Sequence, residues 1–172
     1  LIEAIEQEGR ALLSQSGFQR YEISAWAKSG QLCQHNLNYW QFGDYIGLGP
    51  GAHSKLSLGR HTAVVRFAQL RHPQAWLQHQ AQNLLHAHPL GRPEGNQPLT
   101  ESDLVLEFFL NAFRLSQPPC HLLEERTGIH PDHPKVQQAL QQARELKLLQ
   151  PDCFQPTERG TRHLDHLIAL FS

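Results

Sequence analysis

The sequence predicts an α/β chain: a first half with the rhythm of a β/α barrel and a second half that is a small, mostly helical module. Three observations carry this. From Ile2 to Ala52 the apolar pattern runs helix, strand, long loop, strand, as in a β/α barrel. From Thr100 onward it is helical except for a short break at 148–156. Between the two, His86 to Pro98 (HAHPLGRPEGNQP) interrupts every periodicity with prolines and glycines. The expected division is therefore 1–88 for the barrel portion, 89–99 for a linker and 100–172 for the helical domain.

Ile2, Ile5, Gly9, Leu12 and Leu13 recur at helical spacing, and Ser16-Gly17 ends that helix. Phe18 to Ser24 reads as a short strand with Tyr21 and Ile23 on one side. Ala25 to Asp44 reads as a long loop, of a length that in a compact domain is either functional or disordered, and its aromatic content argues for functional. Tyr45 to Ala52 is apolar and glycine-rich, as in a buried parallel strand running into a turn. Lys55 to Arg71 suits a hairpin about Leu58-Gly59, with Ala63-Val64-Val65 as its apolar part. Pro73 opens a helix presenting Leu77, Ala81, Leu84 and Leu85.

In the second half, Thr100 and Asp103 form a capping box, followed by Val105, Phe108, Phe109 and Ala112 facing one core. A short helix, Leu122 to Thr127, ends at Gly128. Asp132 is expected to cap a longer helix with Val136, Leu140, Ala143 and Leu146 inward. Leu148 to Pro156 suits a small β-wing, and Thr157 starts a last helix bearing Leu164, Leu167, Ile168 and Phe171. Three helices, a wing and a closing helix are winged-helix-like.

The chain of 172 residues has a net charge of −1 and a 40% apolar share, enough for a core and too neutral for a strongly electrostatic partner. From Thr100 onward, ten acids face seven bases, so the winged-helix-like part is not expected to bind nucleic acid. No apolar run is long enough to span a bilayer, and no secretion leader opens the chain. The absence of methionine, with Leu1 already inside a helical pattern, points to a fragment lacking its true N-terminus. Cys33, Cys120 and Cys153 are odd in number and far apart, which suits a reducing, cytoplasmic setting.

The stretch Cys33 to His53 (CQHNLNYWQFGDYIGLGPGAH) concentrates the chemistry. His35, Asn36, Asn38, Tyr39 and Trp40 form a polar-aromatic cluster fit to hold a flat, partly polar ligand. A neutral imidazole at His35 can ligate a metal, and Tyr39 and Trp40 can stack on a flat ring, though spacing alone does not name the ligand; alternatively the asparagines brace a loop and Trp40 plugs its mouth. Gly47, Gly49 and Gly51 admit close approach of a ligand or of another backbone, and fit neither phosphate-binding motif. His53 reads as a second ligand or a satisfied core histidine, the latter preferred. Glu22 with Asp44 is the one carboxylate pair near these motifs. Cys33 with His35 gives only two metal donors, and His86 and His88 read as solvated linker.

Tyr21-Glu22-Ile23-Ser24, then His35-Asn36-Leu37-Asn38-Tyr39-Trp40, then Tyr45 to Ser54 (YIGLGPGAHS) follow in order within 34 residues. They resemble consecutive signatures of the HemW family, haem-chaperone relatives of the oxygen-independent coproporphyrinogen III oxidases in the radical SAM superfamily. A weaker likeness continues through Phe108 to Leu115 (FFLNAFRL). The resemblance covers nearly the whole chain but only the C-terminal half of such a protein. It implies the tail of a partial (β/α)6 radical SAM barrel, of which this chain carries roughly the last two strands. It also implies haem binding and transfer to haem-accepting proteins, with His35 as iron ligand and Asn36, Tyr39 and Trp40 as porphyrin contacts. Gly49, Gly51 and Ala52 would approach S-adenosyl-L-methionine or substrate. The 4Fe-4S cluster would be bound by residues absent here, since no CxxxCxxC run occurs. A homodimer is compatible with the resemblance. The alternatives are the oxidase activity, radical decarboxylation of coproporphyrinogen III, or an interaction module without ligand.

Overall fold

The computed structural model describes residues 1–59, 63–82, 92–93 and 98–172. Helix α1 (Ile2–Gln15) ends at Ser16, and Gly17 turns the chain with φ of +81°. Its periodicity is as expected, yet its apolar stripe is uncovered: Ile2, Ile5 and Leu12 are all exposed.

The next segment departs from the sequence reading. Strand β1 (Gln19–Glu22) turns at Ile23-Ser24 into β2 (Ala25–Ala27), and the two pair antiparallel. The anticipated loop from Ala25 to Asp44 thus contains β2 and also helix α2 (Gln34–Trp40). Tyr45 to Ala52 is no buried parallel strand: Tyr45 makes one antiparallel bridge to Lys55, and Ile46 and Leu48 are exposed. The same apolar residues serve either strand type; here the pairing partner is the chain's own return.

Strands β3 (His53–Leu58) and β4 (Ala63–Ala68) form the expected hairpin, in register from His53↔Ala68 to Leu58↔Ala63. Strand β5 (Arg92–Pro93) pairs with Phe67 and Ala68 and makes the third strand. Every strand pairing among the described residues is antiparallel. Helix α3 (Pro73–Gln82) starts at Pro73 as expected, and Leu77 and Ala81 of its apolar face are exposed. Leu84, Leu85, His86, His88 and most of the expected linker lie outside the described residues.

The core is organised by α4 (Glu101–Ala112). Thr100 Oγ1 accepts from the Asp103 amide while the Asp103 carboxylate accepts from the Thr100 amide, so the box closes as its spacing predicts. Leu104, Val105, Phe108, Phe109 and Ala112 then bury one face. The Phe109 ring lies 4.1 Å from Phe171 and 5.2 Å from Phe113, centre to centre. Phe42 and Val64 enter the same cluster, so α2 and the β3–β4 hairpin share the core of the later helices. The Arg66 guanidinium donates to Glu107 at 2.6 Å, pinning β4 to α4.

After a 3-10 turn (Cys120–Leu122), α5 (Leu123–Thr127) stops at Gly128, left-handed at φ of +74°. Helix α6 (Pro134–Glu145) begins with Pro134 at its first turn and His133 at its cap. Asp132, expected as that cap, is exposed one residue too early, and Leu146, expected inward, is exposed past the helix end. The expected wing is a turn closed by one bridge, Leu149↔Pro156. The last helix divides at His163 into α7 (Glu158–Arg162), capped by Thr157, and α8 (Leu164–Ala169). No helix among the described residues is long and apolar enough to cross a membrane.

Candidate functional site

Helix α2 is short, and no side chain caps its start at Cys33. Its stability therefore comes from what it packs against. His35 and Tyr39 are four residues apart and share a face. Their rings meet edge-on at 4.9 Å, and Tyr39 meets the Tyr45 ring at 4.6 Å. His35 is exposed while Tyr39 and Tyr45 are half-buried, so an imidazole stands at the edge of a two-ring aromatic surface. Cys33 is exposed beside it, and no third donor joins them: no group of three His, Cys, Asp or Glu suited to a metal occurs among the described residues.

The helix is anchored at its other end. Phe42, at a left-handed φ of +57°, drives its ring into the core at 5.9 Å from Phe108. The Gly43 amide donates to the Asn38 carbonyl, and Asn38 Nδ2 donates to the Asp44 carbonyl at 2.9 Å. Asn38 is thus a loop brace.

Beneath this sits Lys55, only 3% exposed, which its sequence context did not mark. Its Nζ donates to the Phe42 carbonyl at 3.0 Å and to Asp44 Oδ1 at 3.3 Å, and lies 3.9 Å from the centre of the Phe42 ring. Burial pulls the Lys55 ammonium below its ordinary value against the attraction of Asp44. Burial pushes the Asp44 carboxyl up, but the amide and hydroxyl of Ser57 together with Lys55 outweigh it, and the net shift is downward. Asp44 is spent on these partners and is not paired with Glu22. Glu22 is buried at the β1 turn, where Ser24 Oγ donates to Oε1 at 2.8 Å and Oε2 has no partner.

Trp40 does not share the His35–Tyr39 surface. Five residues on from His35, it is rotated about 140° around the helix axis. The Arg114 guanidinium covers its ring at 4.8 Å, and its Nε1 is buried without a partner. Asn36 is half-buried on the same helix.

Gly47 is required sterically, since a Cβ there would lie 2.2 Å from the His53 carbonyl oxygen. Gly49 is required conformationally, with φ of +102° and open space where its Cβ would point. The Gly51 amide donates to the Leu70 carbonyl, the Ala52 amide donates to the Gly49 carbonyl, and the Ala52 carbonyl accepts from the Gln69 amide. His53, preferred as a core histidine, is instead exposed at the start of β3.

No family profile matches the chain, and no solved structure matches it. Among curated proteins, it is 38% identical over 173 residues to the "Heme chaperone HemW" of Escherichia coli K12, covering 97% of this chain and 41% of that protein. The "Heme chaperone HemW" of Haemophilus influenzae is 37% identical over 168 residues, with the same shares. A mitochondrial bovine protein, "Radical S-adenosyl methionine domain-containing protein 1", is 39% identical over 117 residues, covering 66% of this chain and 25% of the relative. The chain therefore spans about two fifths of the length of the first two relatives. Similar over almost its whole length to two proteins of that name, the chain belongs to the HemW family.

Proposed function

We propose that this chain is the portion of a HemW-type protein that receives haem as cargo and presents it for transfer to haem-accepting proteins in the cytoplasm. The observation that carries the reading is the exposed imidazole of His35 at the edge of the Tyr39–Tyr45 aromatic surface. A neutral imidazole supplies one axial bond to iron, and the two phenol rings give apolar area for the macrocycle. Asn36, within the same helix, is a polar contact. Trp40, clamped under Arg114, sets the pitch of α2 from below. A single exposed ligand suits a carrier, because a cargo held by one protein bond leaves readily. The names of the two HemW relatives agree with this reading.

In the complete protein we assign 1–88 to the tail of a β/α barrel and 100–172 to a winged-helix-like module; within the expected 89–99 linker, Arg92–Pro93 is instead the third strand beside β4. The Gly49–Ala52 turn, open above Gly49, is the proposed approach to S-adenosyl-L-methionine. A 4Fe-4S cluster does not fit this chain's own donors. Cys120 is buried, its thiol pushed well up by that burial, and Cys33 and Cys153 belong to no three-donor group among the described residues.

The test is a haem titration followed by absorbance on the chain and on His35→Ala. Saturable binding whose Soret band shifts or weakens in the variant is expected. Binding that His35→Ala leaves unaltered in affinity and spectrum would remove His35 as ligand.

A further inference from the structure

Lys55 is buried on β3, and packing alone does not account for a charge there. A methionine of similar length would fill the space without the cost of taking an ammonium out of water. What the ammonium adds is a grip on one short segment. Its Nζ donates to the Phe42 carbonyl and to Asp44 Oδ1, and it lies over the Phe42 ring. Two residues along the strand, the Ser57 amide donates to Asp44 Oδ2 at 3.0 Å and the Ser57 hydroxyl to Oδ1 at 2.9 Å. Strand β3 therefore holds 42–44 from two positions, while the Lys55 backbone exchanges two bonds with Tyr45.

That segment is where the two halves of the aromatic surface meet. Tyr45 follows it directly. On its other side it closes the last turn of α2: the Phe42 amide donates to the Tyr39 carbonyl at 3.0 Å, and Asn38 Nδ2 donates to the Asp44 carbonyl. A helix of 7 residues without a side-chain cap does not keep its own orientation. Phe42 itself is left-handed, a conformation that a residue with a side chain keeps only where its surroundings over-determine it. Here the ring is fixed against Phe108 and the carbonyl is fixed by Lys55. The offset of 4.6 Å between the Tyr39 and Tyr45 rings is thus set by how the turn is held.

We propose that Lys55 is a positioning residue of the haem surface: by locking the 42–44 turn it fixes His35, Tyr39 and Tyr45 relative to one another before cargo arrives. Lys55 acts through the turn and is not itself a ligand. The inference rests on the haem reading above and adds that the surface is preformed.

The test is a haem titration followed by absorbance on the chain, on Lys55→Met, on His35→Ala and on the double variant, with circular dichroism to check folding. Lys55→Met should bind haem about tenfold more weakly, the lower end of what groups behind a metal ligand contribute, with its Soret band moved toward that of His35→Ala. In the His35→Ala background the same substitution should cost about threefold or less, because its main route to the iron is gone. Ser57→Ala, which loosens only Asp44, should shift the spectrum in the same direction by less; should Lys55→Met fail to fold, that variant carries the test. Absence of saturable haem binding, or binding indifferent to His35→Ala, would remove the haem reading itself. A His35-dependent spectrum that a folded Lys55→Met leaves unaltered, or that Ser57→Ala leaves unaltered where Lys55→Met does not fold, would overturn the positioning role alone. So would an equal loss from Lys55→Met with and without His35, which is the mark of general destabilisation.

Discussion

Gly47→Ala and Gly49→Ala stand two residues apart and should fail for different physical reasons. At Gly47 a Cβ would lie 2.2 Å from the His53 carbonyl oxygen and 2.8 Å from its carbonyl carbon and amide nitrogen, whereas ordinary contact begins near 3.4 Å. His53 would have to retreat by roughly 1 Å, and it is fixed by its register with Ala68. The retreat would strain the Gly47 amide bond to Ser54 Oγ at 3.0 Å and the reciprocal Tyr45–Lys55 backbone pair, both at 3.0 Å. Losing two or three such bonds costs about 2–4 kcal/mol. The stiffer unfolded chain returns up to about 1 kcal/mol at either glycine, leaving a net loss of roughly 1–4 kcal/mol at Gly47. At Gly49 no atom lies within 4 Å of the added methyl, so only the left-handed backbone is penalised, by about 1–2 kcal/mol. Urea denaturation followed by tryptophan fluorescence measures both. A Gly47→Ala midpoint at or above that of Gly49→Ala would refute the claim that the His53 backbone is fixed against this turn.

Phe109→Ala should be the most damaging core change. Its ring is fully buried among Phe108, Phe113, Phe154 and Phe171, and a loss of about 3–5 kcal/mol is expected by thermal denaturation. A drop under about 1 kcal/mol would mean the aromatic cluster closes over the gap, contrary to its packing. Asp44→Asn tests the acid limb of stability. The Asp44 carboxyl is held below its ordinary value of 3.8, so its contribution is present above that value and is lost as pH falls through the lowered one. The variant should be less stable at neutral pH and lose less on acidification; parallel melting-versus-pH curves for both proteins would contradict the Lys55–Ser57 arrangement.

The parts of the fold legible in the sequence were those fixed by local chemistry. The α1 periodicity, the Thr100–Asp103 box, the glycine stop of α5 and the β3–β4 hairpin each depend on residues within one element. What escaped depended on partners distant in sequence. Helix α2 is too short for periodicity to show, and it forms because Phe42 and Asn38 anchor its C-terminal end. The antiparallel Tyr45–Lys55 bridge could not be told from a buried parallel strand over Tyr45 to Ala52, since the same residues suit both. The His35–Tyr39 surface follows from a spacing of four only once that stretch is known to be helical. Lys55 gave no signal, because a lysine in a strand ordinarily faces solvent, and here a carbonyl, a carboxylate and an aromatic ring assembled from 42–44 draw it inward.

The β1 turn is stitched to the end of α4 by backbone bonds from Ile23 to Arg114 and from Ser116 to Tyr21, and by the Ser116 hydroxyl to Arg20. The last of these joins residues 96 apart in the chain. Closing a loop of that length costs on the order of 4 kcal/mol in chain entropy, and the stitch itself returns only a few hydrogen bonds. The early hairpin therefore cannot hold its place until the phenylalanine cluster of α4 and α8 has formed. Folding should proceed from the later helices backward, with the Arg114 clamp on Trp40, and hence the final pitch of α2, arriving last.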